Sequence, residues 1–145
     1  MEITKEIKQK LILLVDDAAS MRNMIKAILR DSGFTKIFEA PNGKESQTIL
    51  EKKKMDLVLC DWNMPVMNGL DLFKNVRQSE NLKDLPFLML TAESQSTMVK
   101  EAFAAGVSDY VVKPFTSECL LKKGVTRFGL LYRLSVERIL SFRIV

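Results

Sequence analysis

The sequence predicts an α/β protein built around one parallel sheet that helices cover on both faces. Short apolar runs alternate along the chain with segments of helical period, which is the arrangement typical of such a sheet. No internal repeat or low-complexity linker interrupts this alternation. The length of 145 residues suits a single domain that buries most of its apolar surface without disulfides, metals or a partner.

Five short apolar runs are the predicted strands of this sheet. They are KLILLV at 10–15, KIFEA at 36–40, LVLC at 57–60, PFLML at 86–90 and DYVV at 109–112. Strands that are buried on both faces are expected to be apolar in this nearly continuous way.

Helical spacing of apolar residues predicts the first helix, which follows the first strand and ends at Ser32-Gly33. Its stripe consists of Met21, Met24, Ile25, Ile28 and Leu29. A second helix is predicted to begin at Asn42, because Glu45 follows at the spacing of a capping box. The same residues, NGKES at 42–46, do not form a phosphate-binding loop, since the upstream glycine of that motif is missing.

Two further helices are predicted in the second half of the chain. The third begins at Asn68, with Asp71 three residues later, and is expected to bury three apolar side chains: Leu72, Phe73 and Val76. The fourth stops near Gly106, and its stripe consists of Met98, Val99, Ala102 and Phe103. We interpret these methionine and aromatic stripes as core packing rather than as cofactor sites.

Charge and composition exclude several classes of protein. Residues 1–121 carry 16 Lys or Arg and 17 Asp or Glu, whereas residues 122–145 carry six and one, so all the excess positive charge lies in the tail. The main body therefore has no electrostatic support for binding nucleic acid. Cys60 and Cys119 are expected to be reduced thiols. The charged start, MEITKEIKQK, and the lack of a long apolar run predict a cytoplasmic protein.

Polar residues follow four of the five predicted strands. Asp16 and Asp17 follow the first strand, Asp61 the third, Thr91 the fourth and Lys113 the fifth. Because ligands of open α/β sheets bind beyond the carboxyl ends of the strands, these five side chains are predicted to form one site. Four of them have a structural alternative when taken alone: Asp16 or Asp17 could cap the following helix, Thr91 could be a cap or turn residue, and Lys113 could be surface charge. As a set at one edge of the sheet, they indicate a functional site rather than structural roles.

The predicted chemistry is phosphoryl transfer with Mg²⁺. Clustered carboxylates repel one another unless their pKa values rise or a cation binds, and hard oxygen ligands suit Mg²⁺. Lys113 is expected to pair with Asp61 at rest and with a phosphoryl group afterwards, while the Thr91 hydroxyl donates to another phosphoryl oxygen. Asp61 is then the nucleophile. The chain has no histidine, which excludes a Ser-His-Asp triad, a histidine-type zinc site and a histidine phosphocarrier.

These residues closely resemble the response-regulator receiver domain, and within that family the single-domain chemotaxis regulators. The resemblance runs from about Leu11 to Thr116 and rests on LLVDDAASMR, DWNMPVMNGLDL, LTAE and YVVKPFT. It implies a flavodoxin-like, doubly wound sheet of five parallel strands in the order 2-1-3-4-5.

The resemblance also implies roles for individual residues. Asp61 would be the phosphoacceptor, and Asp17, Asp61 and the backbone carbonyl of Asn63 would bind the metal, with Asp16 acting through water. Thr91 and Lys113 match the pair that senses the phosphoryl group, and the Lys113-Pro114 bond would be cis.

Three positions match residues that act after phosphorylation in this family. Tyr110 matches the aromatic switch that moves inward when Thr91 engages the phosphoryl group. Asn63 and Glu93 match positions that tune dephosphorylation. The fourth helix and Tyr110 would belong to the output face.

The resemblance implies two partners, a histidine kinase as phosphodonor and the flagellar motor switch or another output protein. The domain would assist its own phosphorylation and dephosphorylation without turning over an external substrate, so it is not predicted to be an enzyme.

The tail departs from the family pattern. We predict a receiver domain at 1–121 and an atypical helical extension at 122–145 that is both apolar and basic. Its main stripe consists of Leu121, Val125, Phe128, Tyr132, Val136 and Ile139. Four apolar residues lie off that stripe, so homo-oligomerisation or partner binding is expected ahead of a membrane-surface helix or an altered reading frame.

Two rival functions differ from phosphorelay signalling. One is a constitutive docking or oligomerisation module with a receiver fold, driven by the tail. The other is a DNA-binding regulator, which is disfavoured because a tail of this length is too short for a helix-turn-helix domain.

Overall fold

The computed structural model describes residues 3–92, 96–107 and 109–126. Five parallel strands form one sheet in the order β2-β1-β3-β4-β5. The strands are β1 (Ile12–Val15), β2 (Ile37–Ala40), β3 (Leu57–Asp61), β4 (Phe87–Ala92) and β5 (Asp109–Lys113). The helices are α1 (Lys5–Lys8), α2 (Ala19–Asp31), α3 (Gly43–Lys52), α4 (Gly69–Gln78) and α5 (Ser96–Ala104), and α6 occupies 117–126 up to the end of the described chain. The predicted fold class and strand order are confirmed.

Alternate residues of each strand enter two separate apolar layers, as a doubly wound sheet requires. On one face, residues such as Val58 and Cys60 of β3 pack with helices α3, α4 and α5. On the other face, Leu57 and Leu59 pack with α1, α2 and α6. Each layer therefore closes over one side of the same five strands.

The predicted helix starts at Asn42 and Asn68 are confirmed. The Asn42 side chain accepts a hydrogen bond from the Glu45 backbone N–H at 2.8 Å, and Asn68 does the same for Asp71 at 2.8 Å. Each cap satisfies a backbone donor that the first turn of a helix cannot pair internally. The three apolar residues predicted to be buried by α4 are indeed buried.

Two residues of the predicted core stripes are exposed, so those predictions are wrong. Met24 is 45% exposed, because it precedes the buried Ile25 by one residue and lies about 100° around the helix. Phe103 is 49% exposed, and its ring packs edge-on against Tyr110 at 5.5 Å instead of entering the core. The side chain of Met98 lies outside the described part of the chain.

Helix α1 was not predicted from the sequence, because four residues are too few to show a periodic pattern. Thr4 caps it by accepting from the Ile7 N–H at 3.2 Å, and Ile7 is buried. Within the described residues, no helix combines the length and the apolar character needed to cross a membrane.

Both cysteines are free thiols, as predicted. Cys60 is completely buried in β3, and burial raises the pKa of its thiol well above the ordinary value. Cys60 therefore behaves as a small core residue.

Helix α6 packs against the sheet through Leu120 and Val125, which are both buried. Gly124 lies between them and faces Leu57 of β3. The packed core therefore includes helix α6 at least as far as Val125. The division between residues 121 and 122 remains a prediction, and the apolar stripe of the tail from Phe128 onward lies outside the described residues.

Glu39 of β2 forms ion pairs with two cations of α2. Its carboxylate oxygens lie 2.7 Å from Lys26 Nζ and 3.3 Å from Arg22 Nε. The hydrogen bond from Lys26 is the main reason that the pKa of Glu39 is lowered; partial burial opposes this effect, and Arg22 supports it.

We predict that Gly124→Ala raises the free energy of unfolding by about 1 kcal/mol, since alanine is the better helix former. The new Cβ would lie 3.8 Å from Leu57 Cδ2, which is an ordinary van der Waals contact. Urea unfolding measures the change. Gly106→Ala is the control, because Gly106 has a φ of +98° and open space around it, so alanine there should destabilise. A Gly124→Ala variant no more stable than the wild type would contradict the prediction.

The ion pairs of Glu39 should contribute stability that depends on pH. Because the folded pKa of Glu39 lies below its ordinary value of 4.5, the contribution is fully present above that value and is lost as the pH falls further, through the lower folded pKa. At neutral pH, Glu39→Gln should cost about 0.5 kcal/mol, a typical value for a partly exposed pair. Unfolding measured from pH 7 to pH 3 should show the gap closing. In a Lys26→Met background the gap should be smaller throughout; an unchanged gap would refute this assignment.

Candidate functional site

Three carboxylates converge at the carboxyl edge of the sheet. Asp61 is the last residue of β3, and Asp16 directly follows β1; the pairing of Val15 with Cys60 places them side by side. One carboxylate oxygen from each of Asp16, Asp17 and Asp61 lies within 4.8 Å of the others. Asp16 and Asp61 are buried, whereas Asp17 is exposed. The sheet therefore concentrates negative charge at one point.

Lys113 partly neutralises this cluster. It ends β5, two strands away from β3, with β4 between them. Because neighbouring strands lie about 4.8 Å apart, β5 and β3 are about 10 Å apart, and the side chains of Lys113 and Asp61 bridge this distance together. Its Nζ donates to Asp61 Oδ1 at 2.8 Å and reaches Asp16 Oδ2 at 3.4 Å. The predicted pairing with Asp61 is present, and the contact with Asp16 is additional.

The charges of the cluster shift the pKa values of its members. Burial raises the pKa of Asp61; the hydrogen bond and charge of Lys113 oppose the rise, and the charges of Asp16 and Asp17 add to it. Burial on its own would lower the pKa of Lys113, but the hydrogen bond and charge of Asp61, together with Asp16, outweigh that effect and raise it. The lysine is therefore held in its charged form, and the carboxylates still carry uncompensated negative charge.

Neither aspartate caps helix α2, so that alternative is wrong. The N-cap residue is Ala18, which makes no side-chain hydrogen bond. The Asp16 side chain instead turns back on its own loop, where Oδ1 accepts from the Ala18 N–H at 2.9 Å. The Asp16 backbone N–H donates to the Ala40 carbonyl at the end of β2, at 3.2 Å. Asp16 is thus tied to both neighbouring elements.

Thr91 and Tyr110 lie together on the other face of the sheet. Thr91 is buried near the end of β4, and Tyr110 pairs with Met89, two residues before Thr91. The Thr91 hydroxyl donates to the Ala92 carbonyl at 3.5 Å rather than to Asp61. Thr91 is therefore near the acidic cluster along the strand but is not bonded to it.

Helices α5 and α6 contact Tyr110 on two sides. Phe103 packs against its ring at an interplanar angle of 79°. Lys123 Nζ lies 4.9 Å from the centre of the same ring and donates to the Tyr110 carbonyl at 2.6 Å. The aromatic ring is thus placed between an exposed aromatic residue and a cation.

The loop after β3 carries the remaining predicted residues. Asn63 is exposed, two positions beyond Asp61. Glu93, which was predicted to act with it, lies outside the described residues. The Lys113-Pro114 peptide bond is cis, as the resemblance implied.

Gly69 allows helix α4 to begin directly against the end of β3. Its N–H donates to the Trp62 carbonyl at 2.9 Å. A Cβ at this position would lie 2.5 Å from the Asp61 carbonyl oxygen and 2.8 Å from Met89 Sδ. Only glycine fits such a close approach of backbone to backbone.

Four residues that support the site were not identified from the sequence: Arg22, Glu39, Gly69 and Lys123. Arg22 donates to the Asp16 carbonyl and pairs with Glu39, a contact between residues 17 positions apart. Lys123 and Tyr110 are separated by 13 positions. Such contacts depend on tertiary packing and leave no spacing signal. Of these four residues, only Gly69 could have been noticed in the sequence, since a glycine at the start of a helix suggests that another backbone segment lies close to it.

The acidic cluster fits a Mg²⁺ ion on the chemistry of its donors. Its three side chains offer hard carboxylate oxygens, and Asp17 is accessible from solvent. Mg²⁺ prefers such oxygen ligands together with water. One lysine does not balance three carboxylates, so the charge of the site also favours a cation.

A comparison with protein families tests this interpretation. A model of the response regulator receiver domain matches residues 12–124. The chain belongs to the response-regulator receiver family. The predicted function, that of a phosphorelay response regulator, is confirmed at this level.

Two proteins with similar sequences are chemotaxis proteins. Chemotaxis protein CheY-3 of Vibrio cholerae is 48% identical over 116 residues, which cover 80% of this chain and 89% of that protein. Chemotaxis protein CheY of Pseudomonas aeruginosa is 49% identical over 112 residues, covering 77% and 90%. The resemblance to chemotaxis receivers of the CheY type is confirmed.

A solved receiver domain with a similar fold contains a magnesium ion. This domain, from a sensor histidine kinase of Pseudomonas aeruginosa, has a magnesium ion coordinated in its active-site cleft. It aligns with a TM-score of 0.76 at 28% identity, covering 83% of this receiver chain and 98% of that one.

We predict that Gly69→Ala costs about 1–3 kcal/mol of stability, because the new methyl group overlaps the backbone carbonyl of Asp61, which no side-chain rotation can move away. The matched control is Gly43→Ala. There the added Cβ would meet the end of the Met67 side chain at 2.5 Å, which a flexible methionine can relieve by moving. Thermal unfolding of both variants measures the difference. Equal losses would show that close packing at Asp61 is not the cause.

Proposed function

We propose that this chain is a single-domain response regulator that accepts a phosphoryl group from a histidine kinase on Asp61, with Mg²⁺ as cofactor, in a chemotaxis phosphorelay. The observation that carries the proposal is the position of Asp61. Its carboxylate lies at the end of a buried strand, 2.8 Å from Lys113 Nζ and among two further carboxylates, in a chain of the receiver family.

The proposed metal ligands are Asp17, Asp61 and the Asn63 backbone carbonyl, with Asp16 acting through water. Mg²⁺, when bound, neutralises charge on the phosphoryl oxygens and on the carboxylates beside them. Asp17 supplies the exposed carboxylate of the cluster, which suits an entry side for a hydrated ion.

Asp61 is the proposed nucleophile. One of its carboxylate oxygens attacks the phosphorus atom, the bond from phosphorus to the histidine nitrogen of the kinase breaks, and the nitrogen keeps the electron pair. Lys113 can then transfer one of its contacts from Asp61 Oδ1 to a phosphoryl oxygen. No general base is needed, because the Asp61 carboxylate itself is the attacking group.

Thr91 and Tyr110 are the proposed switch. The phosphoryl group adds roughly two negative charges beside residues that already repel one another, and this attracts the Thr91 hydroxyl. Tyr110 lies on the same face of the neighbouring strand as Thr91, so movement of Thr91 changes the space available to its ring. The surface around Tyr110 and α5 would bind the output protein, which we propose to be the flagellar motor switch.

The remaining proposals follow from the same site. Asn63 and Glu93 would tune loss of the phosphoryl group, so the domain acts on its own aspartyl phosphate and turns over no external substrate. The protein would act in the cytoplasm, where its kinase and motor partners are expected. A homo-oligomer formed through residues 122–145 remains a proposal that the described residues do not address.

Trp62 provides a direct test, because it is buried next to Asp61. Its fluorescence should change when Mg²⁺ is added, and again when a small acyl phosphate is added. The second change should be absent in Asp61→Ala. Asp84→Ala, which removes an exposed aspartate elsewhere, is the control and should behave like the wild type.

Covalent transfer can be followed on the same samples. Intact-mass measurement should show an added phosphoryl group on the wild type and none on Asp61→Ala. Absence of both the fluorescence change and the mass change in the wild type would overturn the proposal and favour a constitutive docking module with a receiver fold. Oligomerisation that is independent of the phosphodonor would support that rival.

A further inference from the structure

Arg22 of helix α2 is bonded to the backbone of Asp16. Its Nη1 donates to the Asp16 carbonyl oxygen at 2.5 Å. The side chain is only 16% exposed, so this hydrogen bond is partly shielded from water. A bond between a guanidinium and a carbonyl is charge-assisted and stronger than a neutral one.

Glu39 of β2 holds Arg22 in place. Its Oε1 accepts from Arg22 Nε at 3.3 Å, while its other oxygen pairs with Lys26. The next residue, Ala40, accepts the Asp16 backbone N–H. Both backbone polar groups of Asp16 are therefore tied to the end of β2, one directly and one through Arg22.

The carboxylate of Asp16 makes two other contacts. One oxygen accepts from the Ala18 N–H, within the same turn, and the other is 3.4 Å from Lys113 Nζ, which lies closer to Asp61. Because the Ala18 contact lies within the same turn, the backbone of Asp16 contributes to the direction of this carboxylate, and Arg22 holds the carbonyl of that backbone.

We propose that Arg22, held by Glu39, is a positioning residue that fixes the acidic cluster in its metal-binding geometry. This inference rests on the proposed function, since it concerns the affinity of the same site for Mg²⁺. Arg22 touches neither the metal nor the phosphoryl group in this assignment. Groups of this kind behind metal ligands commonly control affinity through orientation.

The sign of the effect separates positioning from charge. Arg22 is a cation near three carboxylates, so removing it makes the site more negative, and charge alone would strengthen Mg²⁺ binding. Loss of positioning would weaken it. Lys26 carries the same charge on the same helix and shares Glu39, but it has no bond to Asp16. It is therefore the matched control.

The experiment is a Mg²⁺ titration in which Trp62 fluorescence reports binding. It compares the wild type with Arg22→Ala, Arg22→Lys and Lys26→Ala, at a temperature well below the thermal unfolding midpoint of each protein. We expect Arg22→Ala to weaken Mg²⁺ binding by on the order of tenfold, the lower end for residues that orient metal ligands. Arg22→Lys keeps the charge but loses the two-point fork, so it should also bind more weakly. Lys26→Ala should bind as the wild type does or slightly more tightly.

A second measurement needs no metal. The Ala18 amide donates to Asp16 Oδ1, so its hydrogen exchange reports on the geometry of this carboxylate. In metal-free protein, exchange at Ala18 should be faster in Arg22→Ala than in Lys26→Ala. Comparison with the amides of β3 separates this local effect from a global loss of stability.

The outcomes distinguish the inference from the function on which it rests. If the wild type shows no response to Mg²⁺, the proposed metal site fails, and Ala18 exchange alone decides whether Arg22 orders Asp16. If the wild type binds Mg²⁺ but both Arg22 variants bind equally well or more tightly, Arg22 has no positioning role. Equal weakening in Lys26→Ala would also overturn the inference, because stability would then explain the loss.

Discussion

The structure depends on one electrostatic constraint: three carboxylates, two of them buried, meet at one edge of the sheet, and one lysine must come from two strands away to stabilise them. An uncompensated buried carboxylate is costly, so Asp61 is tolerated only at the end of its strand and beside Lys113. The remaining negative charge makes the site a place where a cation is favoured. The carboxylates that lower the stability of the fold are therefore also the groups that favour binding of a cation.

The sheet divides the site between its two faces. Side chains alternate between the two faces along each strand. By this alternation, one face, which is covered by α2 and α6, carries Asp16, Asp61 and Lys113. The other face, which is covered by α3, α4 and α5, carries Thr91 and Tyr110. In the proposed switch, a change at Asp61 on β3 would reach Tyr110 on β5 through Thr91, which lies near the end of the intervening strand β4.

The fold could be predicted from the sequence because each buried strand is a short apolar run and two of the helices begin at capping asparagines. The members of the acidic cluster were also predictable, since parallel strands bring their carboxyl ends to one edge. Support from Arg22 and Glu39 was not predictable, because it joins a helix to a strand through side chains whose meeting depends on packing. The exposure of Phe103 was missed for a related reason: periodicity identifies a face but not its width.

In the loop after β3, the residue with the least favourable backbone conformation is also one of the most exposed. Val66 has a φ of +70° and is fully exposed, although a β-branched residue disfavours that conformation by about 1–2 kcal/mol. The conformation is imposed by its neighbours, since Met64 is buried and Met67 packs against Gly43. Because the Val66 side chain is fully exposed, a substitution that tolerates a positive φ would relieve the backbone there without removing a buried contact beside Asp61 or Gly69.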